Sequence, residues 1–208
     1  MLHAGGRLVR SPAAFLQEEQ MTGIRRLNHA VLFATDVDRA TTFYANVLGF
    51  VEVTRVPQMS AVFLRAADSA NHHDLGLFGL GASAAPRQPR GVGLYHLAWQ
   101  VDTIDQLAEL RKALLDAGAY TGESSHGATK SIYGADPDGN EFELMWMVPR
   151  AAWGRYESEA VVEALDLEGE LAIWSGVGTA DELGGFGETG WSQRISQADR
   201  ETPSPHER

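Results

Sequence analysis

The sequence predicts an α+β fold in which two tandem βαβββ modules form one domain, each module a curved mixed sheet. Three observations predict it. The order strand, helix, strand, strand, strand can be read twice along the chain. The two passes share an echo, Leu27-Asn28-His29 and Leu94-Tyr95-His96, sixty-seven residues apart at the same place in each pass. Between them, Gly79 to Gly93 is rich in Gly, Ala, Pro and Arg and reads as a linker.

Order is expected to begin near Ile24. Leu27 to Thr35 alternates as a strand, with His29, Val31 and Phe33 on one face and Asn28, Ala30, Leu32 and Ala34 on the other. Asp36 or Asp38 offers an N-cap, Arg39 to Leu48 carries an apolar helical face, and Gly49 stops it. Three short strands follow, Phe50 to Val56, Ala61 to Ala66 and His73 to Phe78. After the linker, Leu94 to Val101 is a strand and Thr103 to Ala117 a helix. Its residues Ile104, Leu107, Leu110, Leu114 and Leu115 fit a 3.6-residue period, and Gly118 ends it. Strands recur at Ala119 to Glu123, Thr129 to Tyr133 and Glu141 to Val148. Asp136 to Asn140 forms the turn before the last of them, since Pro fixes φ, Gly accepts positive φ, and Asp and Asn bond back to the backbone. Ala151 to Trp174 reads as one or two amphipathic helices, and the Gly-, Ser- and Glu-rich remainder as a disordered tail in which Trp191 is a candidate docking residue. The expected plan is therefore a leader at 1–23, a domain at 24–148 (modules 24–80 and 92–148), a helical extension at 149–176 and a tail at 177–208.

Composition narrows the function classes. A net charge of −11 argues against a nucleic-acid partner, which would need a basic face. Every apolar run is interrupted before it reaches membrane-spanning length, so no membrane partner is expected. With no cysteine, disulfides, thiolate metal sites and cysteine nucleophiles are excluded. The first twenty residues contain Arg7 and Arg10 but no continuous apolar stretch, so a cytoplasmic location is expected.

Three polar residues sit mid-strand among apolar neighbours: His29, His96 and Glu143. In the last strand Glu141, Glu143 and Met145 share one face, and Phe142, Leu144 and Trp146 the other. A carboxylate there needs water or a positive partner, because burying it alone is costly. The two histidines occupy equivalent places in duplicated modules, and a two-fold pairing of first strands brings them to the domain centre. With Glu143 they make a 2-His-1-carboxylate set, which leaves open positions on Fe(II) for substrate and dioxygen. The fold then closes around a central metal site.

The stretches Leu27-Asn28-His29-Ala30, His72-His73-Asp74-Leu75, Tyr95-His96-Leu97-Ala98 and Ser131 to Glu143 resemble the vicinal oxygen chelate superfamily, and within it the type I extradiol catechol dioxygenases. The resemblance covers roughly Ile24 to Val148. It implies metal ligation by His29, His96 and Glu143, with Fe(II), or Mn(II) in its place, as cofactor. It further implies catalytic roles for His73 (or His72), His126 and Tyr133, the last standing ten residues before Glu143. A neutral histidine can act as base and then acid near neutral pH, and a tyrosine hydroxyl can stabilise an anionic substrate oxygen. The implied substrates are a catechol-type small molecule and dioxygen, in a homo-oligomer. The chain departs from many members of the type in lacking a second, catalytically empty domain, so the pocket wall must come from the linker, the extension or another subunit. A glyoxalase-like isomerase or lyase, or a small-molecule-binding resistance protein, would use the same fold. The isomerase commonly draws a carboxylate ligand from the position where His72-His73 stands.

Overall fold

The computed structural model describes residues 24–179, apart from 25, 86, 89 and 90; the expected leader, and the tail from residue 180 with Trp191, lie outside the described residues. The first module runs β1 (Ala30–Ala34), α1 (Val37–Leu48), β2 (Val51–Val56), β3 (Ala61–Arg65) and β4 (Leu75–Gly79). The second runs β5 (Leu97–Gln100), α2 (Ile104–Asp116), β6 (Tyr120–Ser125), β7 (Thr129–Ala135) and β8 (Glu141–Met147). Each module is a four-stranded mixed sheet, ordered β1-β4-β3-β2 and β5-β8-β7-β6 among the described residues. The first strand of each is parallel to the last, and its other edge pairs with no strand among the described residues.

Local chemistry places the helix ends. Asp36 caps α1 by accepting from the amides of Asp38 and Arg39, and Gly49 closes it in the left-handed region at φ 74°. Thr103 and Gln106 form a reciprocal capping box on α2. The strand holding His29 is shorter than its alternation predicts. Pairing starts only at Ala30 opposite Leu75; ahead of it the Asn71 side chain takes the place of a strand partner, accepting from Asn28 Nδ2 at 3.2 Å and donating to the Asn28 carbonyl at 2.8 Å. The strand expected from His73 likewise starts at Leu75. Ahead of it the Asp74 carboxylate accepts from the Ala66 amide (3.0 Å), Ser69 Oγ (2.9 Å) and Asn71 Nδ2 (2.8 Å), folding residues 66–74 into a turn.

Each sheet buries one face under its own helix. The first core joins Ala34, Tyr44, Phe50, Val62, Leu64, Leu75 and Leu77; the second joins Ile104, Leu107, Leu114, Ile132, Phe142, Leu144, Trp146 and Val148. Phe43, Leu48 and Trp99 pack against both and weld the modules together. The expected alternation holds in β8, where Phe142, Leu144 and Trp146 are buried and Glu141, Glu143 and Met145 lie on the opposite, part-exposed face.

Of the one or two amphipathic helices expected in the extension, one forms, near its end, and the rest takes other conformations. Two 3₁₀ turns, Arg150–Ala152 and Gly154–Glu157, lead to a strand-like segment in which Glu163 exchanges both backbone hydrogen bonds with Ser125 at 2.9 Å. Only Leu167–Trp174, α3, is helical. Gly154 at φ 51° and the bridge to β6 break the helical path. The nearly buried Lys130 reaches Glu170 of α3 at 2.5 Å, and the Ser175 hydroxyl and Gly176 amide donate to Asp105 at the start of α2. The segment is thus a strap across the second module. Among the described residues no helix is long and apolar enough to cross a membrane.

Candidate active site

The polar residues singled out in the sequence fall into two groups, one on each sheet. On the first module His29 is exposed, and its Nδ1 donates to Asn28 Oδ1 at 2.9 Å. Its ring lies against that of His73, with centroids 4.6 Å apart. His73 Nδ1 stands 3.0 Å from His72 Nδ1, so one of the two nitrogens is the donor, and its ring meets the edge of Phe63 at 4.9 Å. Lost hydration, then the neighbouring His29 and His72, push the His73 pKa below that of a free imidazole.

On the second module His96 Nε2 is 3.0 Å from Glu143 Oε2. The Glu143 side chain is only 12 % exposed. The His96 Nδ1 is buried with no hydrogen-bond partner among the described residues. The sheet register explains the neighbours. Tyr133 lies directly across from Glu143 in the β7–β8 ladder, and the His96 and Tyr133 rings come within 6.0 Å. Tyr133 Oη sits 2.8 Å from His126 Nε2 and 3.2 Å from Ser124 Oγ, and Ser124 Oγ is 2.9 Å from His126 Nε2.

The strap fixes the tautomer of the histidine in this triangle. His126 Nδ1 is 3.0 Å from the Val161 carbonyl oxygen, which can only accept. Nδ1 therefore carries hydrogen, and in the neutral ring Nε2 is the acceptor facing both hydroxyls. Burial pushes the Tyr133 pKa up, against the opposing bond from Ser124, and the charge of Glu143 adds to the rise, so its hydroxyl stays protonated and donates. Gly127 turns the chain after His126 at φ 75°, and a side chain there would collide with the Tyr156 ring of the strap.

The structure thus brings together His96, Glu143, Tyr133 and His126, and separately His29, His72 and His73. It does not bring His29 to the His96–Glu143 pair, and no three His, Asp or Glu side chains converge on a metal-sized position among the described residues. The topology gives the reason. Asp138, in the turn before β8, accepts from the Thr35 amide at 3.1 Å and hydroxyl at 2.5 Å, so the far end of β1 sits where β5 and β8 begin. Six residues separate His29 from Thr35, about 20 Å at roughly 3.3 Å per residue. His29 consequently lies at the end of β1 away from this junction, while His96, one residue before β5, lies at the end near it. A groove of about 680 Å³ runs between the modules, lined by Val31, Phe33, Leu80, Leu94, Tyr95 and Glu141 among others, and none of the three candidate ligands lines it. Residues missed in the sequence are Ser124 and the Val161 carbonyl. Ser124 stands two before His126, a spacing that could have flagged it; a backbone carbonyl leaves no such trace.

This arrangement of two βαβββ modules has relatives. A profile of the Glyoxalase/Bleomycin resistance protein/Dioxygenase superfamily matches residues 26–144. The chain belongs to that superfamily. It is 37 % identical over 126 residues to biphenyl-2,3-diol 1,2-dioxygenase 3 of Rhodococcus globerulus, a match covering 60 % of this chain and 64 % of the relative. It is 30 % identical over 158 residues to catechol-2,3-dioxygenase of Bacillus subtilis (strain 168), covering 73 % of this chain and 54 % of that one. The chain therefore spans less than two thirds of either relative. Among solved structures, a glyoxylase/bleomycin resistance protein/dioxygenase domain from Frankia sp. EAN1pec superposes with a TM-score of 0.53 at 20 % identity, covering 61 % of this chain and all of that one. As a superfamily member, the chain shares with it the fold of two mixed four-stranded sheets.

Proposed function

We propose that the chain is an extradiol ring-cleaving dioxygenase that inserts dioxygen into a catechol-type substrate beside, not between, its two hydroxyls. The observation that carries this reading is the hydrogen-bonded Tyr133–His126 pair set next to the His96–Glu143 pair on one sheet face. Similarity to dioxygenases of catechol and biphenyl-diol supports the same class.

In this reading the chain's own residues handle protons. Tyr133 Oη donates to the catechol oxygen as it becomes anionic. His126 Nε2, held in its acceptor tautomer by Val161, takes the proton that the substrate gives up. Ser124 keeps the two in register. His73, or His72 beside it, is assigned to the dioxygen side. Such chemistry requires Fe(II) or Mn(II), and a single chain as it stands does not fit that metal: it converges two donors, His96 and Glu143, where a facial triad needs three.

The isomerase reading needs a carboxylate ligand from the first module. The carboxylate beside His73, Asp74, is buried and engaged by three donors of its own turn, which disfavours it.

Anaerobic loading with Fe(II), followed by catechol, 3-methylcatechol and 2,3-dihydroxybiphenyl in air, tests the proposal. A yellow ring-opened product is expected with at least one of them. Bound iron with no product from any would overturn it.

A further inference from the structure

We propose that a second groove between the modules is a docking site for a segment of this same chain, residues 190–198, which lies outside the described residues and contains Trp191, Arg194 and Ile195. The inference is independent of the reaction proposed above.

The groove has a volume of about 620 Å³ and shares no lining residue with the one that holds Val31 and Phe33. One wall comes from the first module, at the end of α1 and at residues 66–69. The other comes from the second module, at the end of β5 and along α2. Two features of the lining define what fits it. Leu48, Trp99 and Leu110 are only half-buried, which leaves apolar surface uncovered. Asp68, Asp102 and Glu109 are exposed, and no Lys or Arg lines the groove among the described residues. The matching occupant has apolar anchors a few residues apart and a positive charge between them.

Three observations select the chain's own segment. The first is where the described chain ends. The Thr179 amide donates to the Asp102 carbonyl at 2.5 Å, and the Gln100 side chain donates to Thr179 Oγ1 at 3.0 Å. Asp102 and Gln100 both line the groove, so the chain continues from its lip. The second is reach. Twelve residues from Thr179 to Trp191 span up to about 40 Å at roughly 3.3 Å per residue. The flank along α2, from Gln106 to Ala113, is only about 10 Å long at roughly 1.5 Å per residue. The third is pattern. Residues 190–198 set Arg194 between Trp191 and Ile195 and include no Asp or Glu, in a chain whose net charge is −11. Trp191 to Ile195 covers about 6 Å as a helix and about 13 Å as a strand, which brackets that flank.

Tethering makes the contact intramolecular, at an effective concentration on the order of millimolar, so a weak docking patch suffices. Seated there, the segment touches the turn of the first module and α2 of the second, and clasps the two together. The rival occupant is the leader. It carries Arg7 and Arg10, and Arg26 donates to Asn71 of the same turn at 2.6 Å.

The test is disulfide trapping in the full chain, which has no cysteine of its own. Ala67→Cys places a thiol at an exposed position of the groove, and Ser192→Cys places one beside Trp191. The control pairs Ser192→Cys with Val162→Cys, an exposed residue of the strap, which bridges to β6 at the opposite edge of the second sheet from β5. In a glutathione buffer the groove pair should close within one chain at least about tenfold faster than the control. Trp191→Ala should slow that closure. Arg194→Glu and Glu109→Lys should each slow it as well, and the two combined should restore it. Equal rates for the two pairs, or closure indifferent to these three changes, would overturn the inference. A disulfide joining two chains would do so too, by making a second copy the occupant. Faster closure of Ala67→Cys with Ser11→Cys would hand the groove to the leader and equally overturn it.

Discussion

The two modules have the same topology and opposite chemical characters. The first sheet presents a cluster of three imidazoles, His29 and His72 exposed and His73 half-buried, beside exposed apolar strand residues. The second presents a part-buried carboxylate, a histidine and a hydrogen-bonded His126–Tyr133–Ser124 triangle, braced by a strap at residues 150–179. That strap makes a backbone bridge to Ser125, a carbonyl bond to His126 and an ion pair to Lys130. Duplication has therefore preserved the scaffold while the side chains on the two sheets diverged. Packing sets the difference: the strap holds His126 Nδ1 on the Val161 carbonyl, so the far nitrogen of that ring is fixed, and the imidazoles of the first sheet have no such brace among the described residues.

The largest effect that would break this comparison lies at the carboxylate. Glu143→Ala should abolish metal retention and reduce turnover by more than about a thousandfold, while His72→Ala should leave metal content unchanged; elemental analysis beside steady-state rates separates them. If Glu143→Ala keeps its metal, the braced module is not the ligand half. Next is the relay. Tyr133→Phe and His126→Gln should retain metal and lower kcat by roughly 10²–10³-fold, the range expected for a lost general acid–base group. A loss confined to KM would assign them to binding alone.

Much of this was legible beforehand, and the exceptions have physical causes. The alternation of β8 disclosed both its buried face and the face of Glu143, because a period of two is enforced by the pleat. The helix stops at Gly49 and Gly118 were readable from the need for positive φ, and both glycines adopt it. The repeat gave the modules and the family gave the candidates. What could not be read was that His29 stands apart from the His96–Glu143 pair. Faces, spacings and apolar stripes say nothing of it; the Thr35–Asp138 junction, a contact across more than a hundred residues, holds the modules in that arrangement. The strap's acidic and apolar alternation suggested one or two helices, and one forms; the part before it was not legible because Ser125 and His126 bind its main chain, an attraction that depends on no particular side chain.

Smaller effects test the bracing. Glu170→Ala leaves the Lys130 ammonium nearly buried with Ser125 Oγ as its hydrogen-bond partner among the described residues, and should destabilise the fold by about 3 kcal/mol. Chemical denaturation measures this, and a change within error would mean that water already reaches Lys130. The smallest effect concerns pH. The bonds from Ser175 and Gly176 hold the Asp105 pKa below the usual carboxylate value. Its stabilising contribution is thus full above that ordinary value and is lost as pH falls through the lowered one. Tryptophan fluorescence from Trp174, followed downward from pH 5, should show the end of α3 loosening in the wild type. In Asp105→Asn the same loosening should already be present at pH 5.

The central claim is that the face joining Glu143, Tyr133 and His126 performs extradiol cleavage. Oxygen uptake by the Fe(II)-loaded protein, measured together with the mass of the product from 2,3-dihydroxybiphenyl, tests it most directly. The account predicts about one dioxygen consumed per substrate, and a ring-opened product heavier by two oxygen atoms. Iron-loaded protein that leaves the ring closed, or that releases peroxide and a quinone, would contradict it.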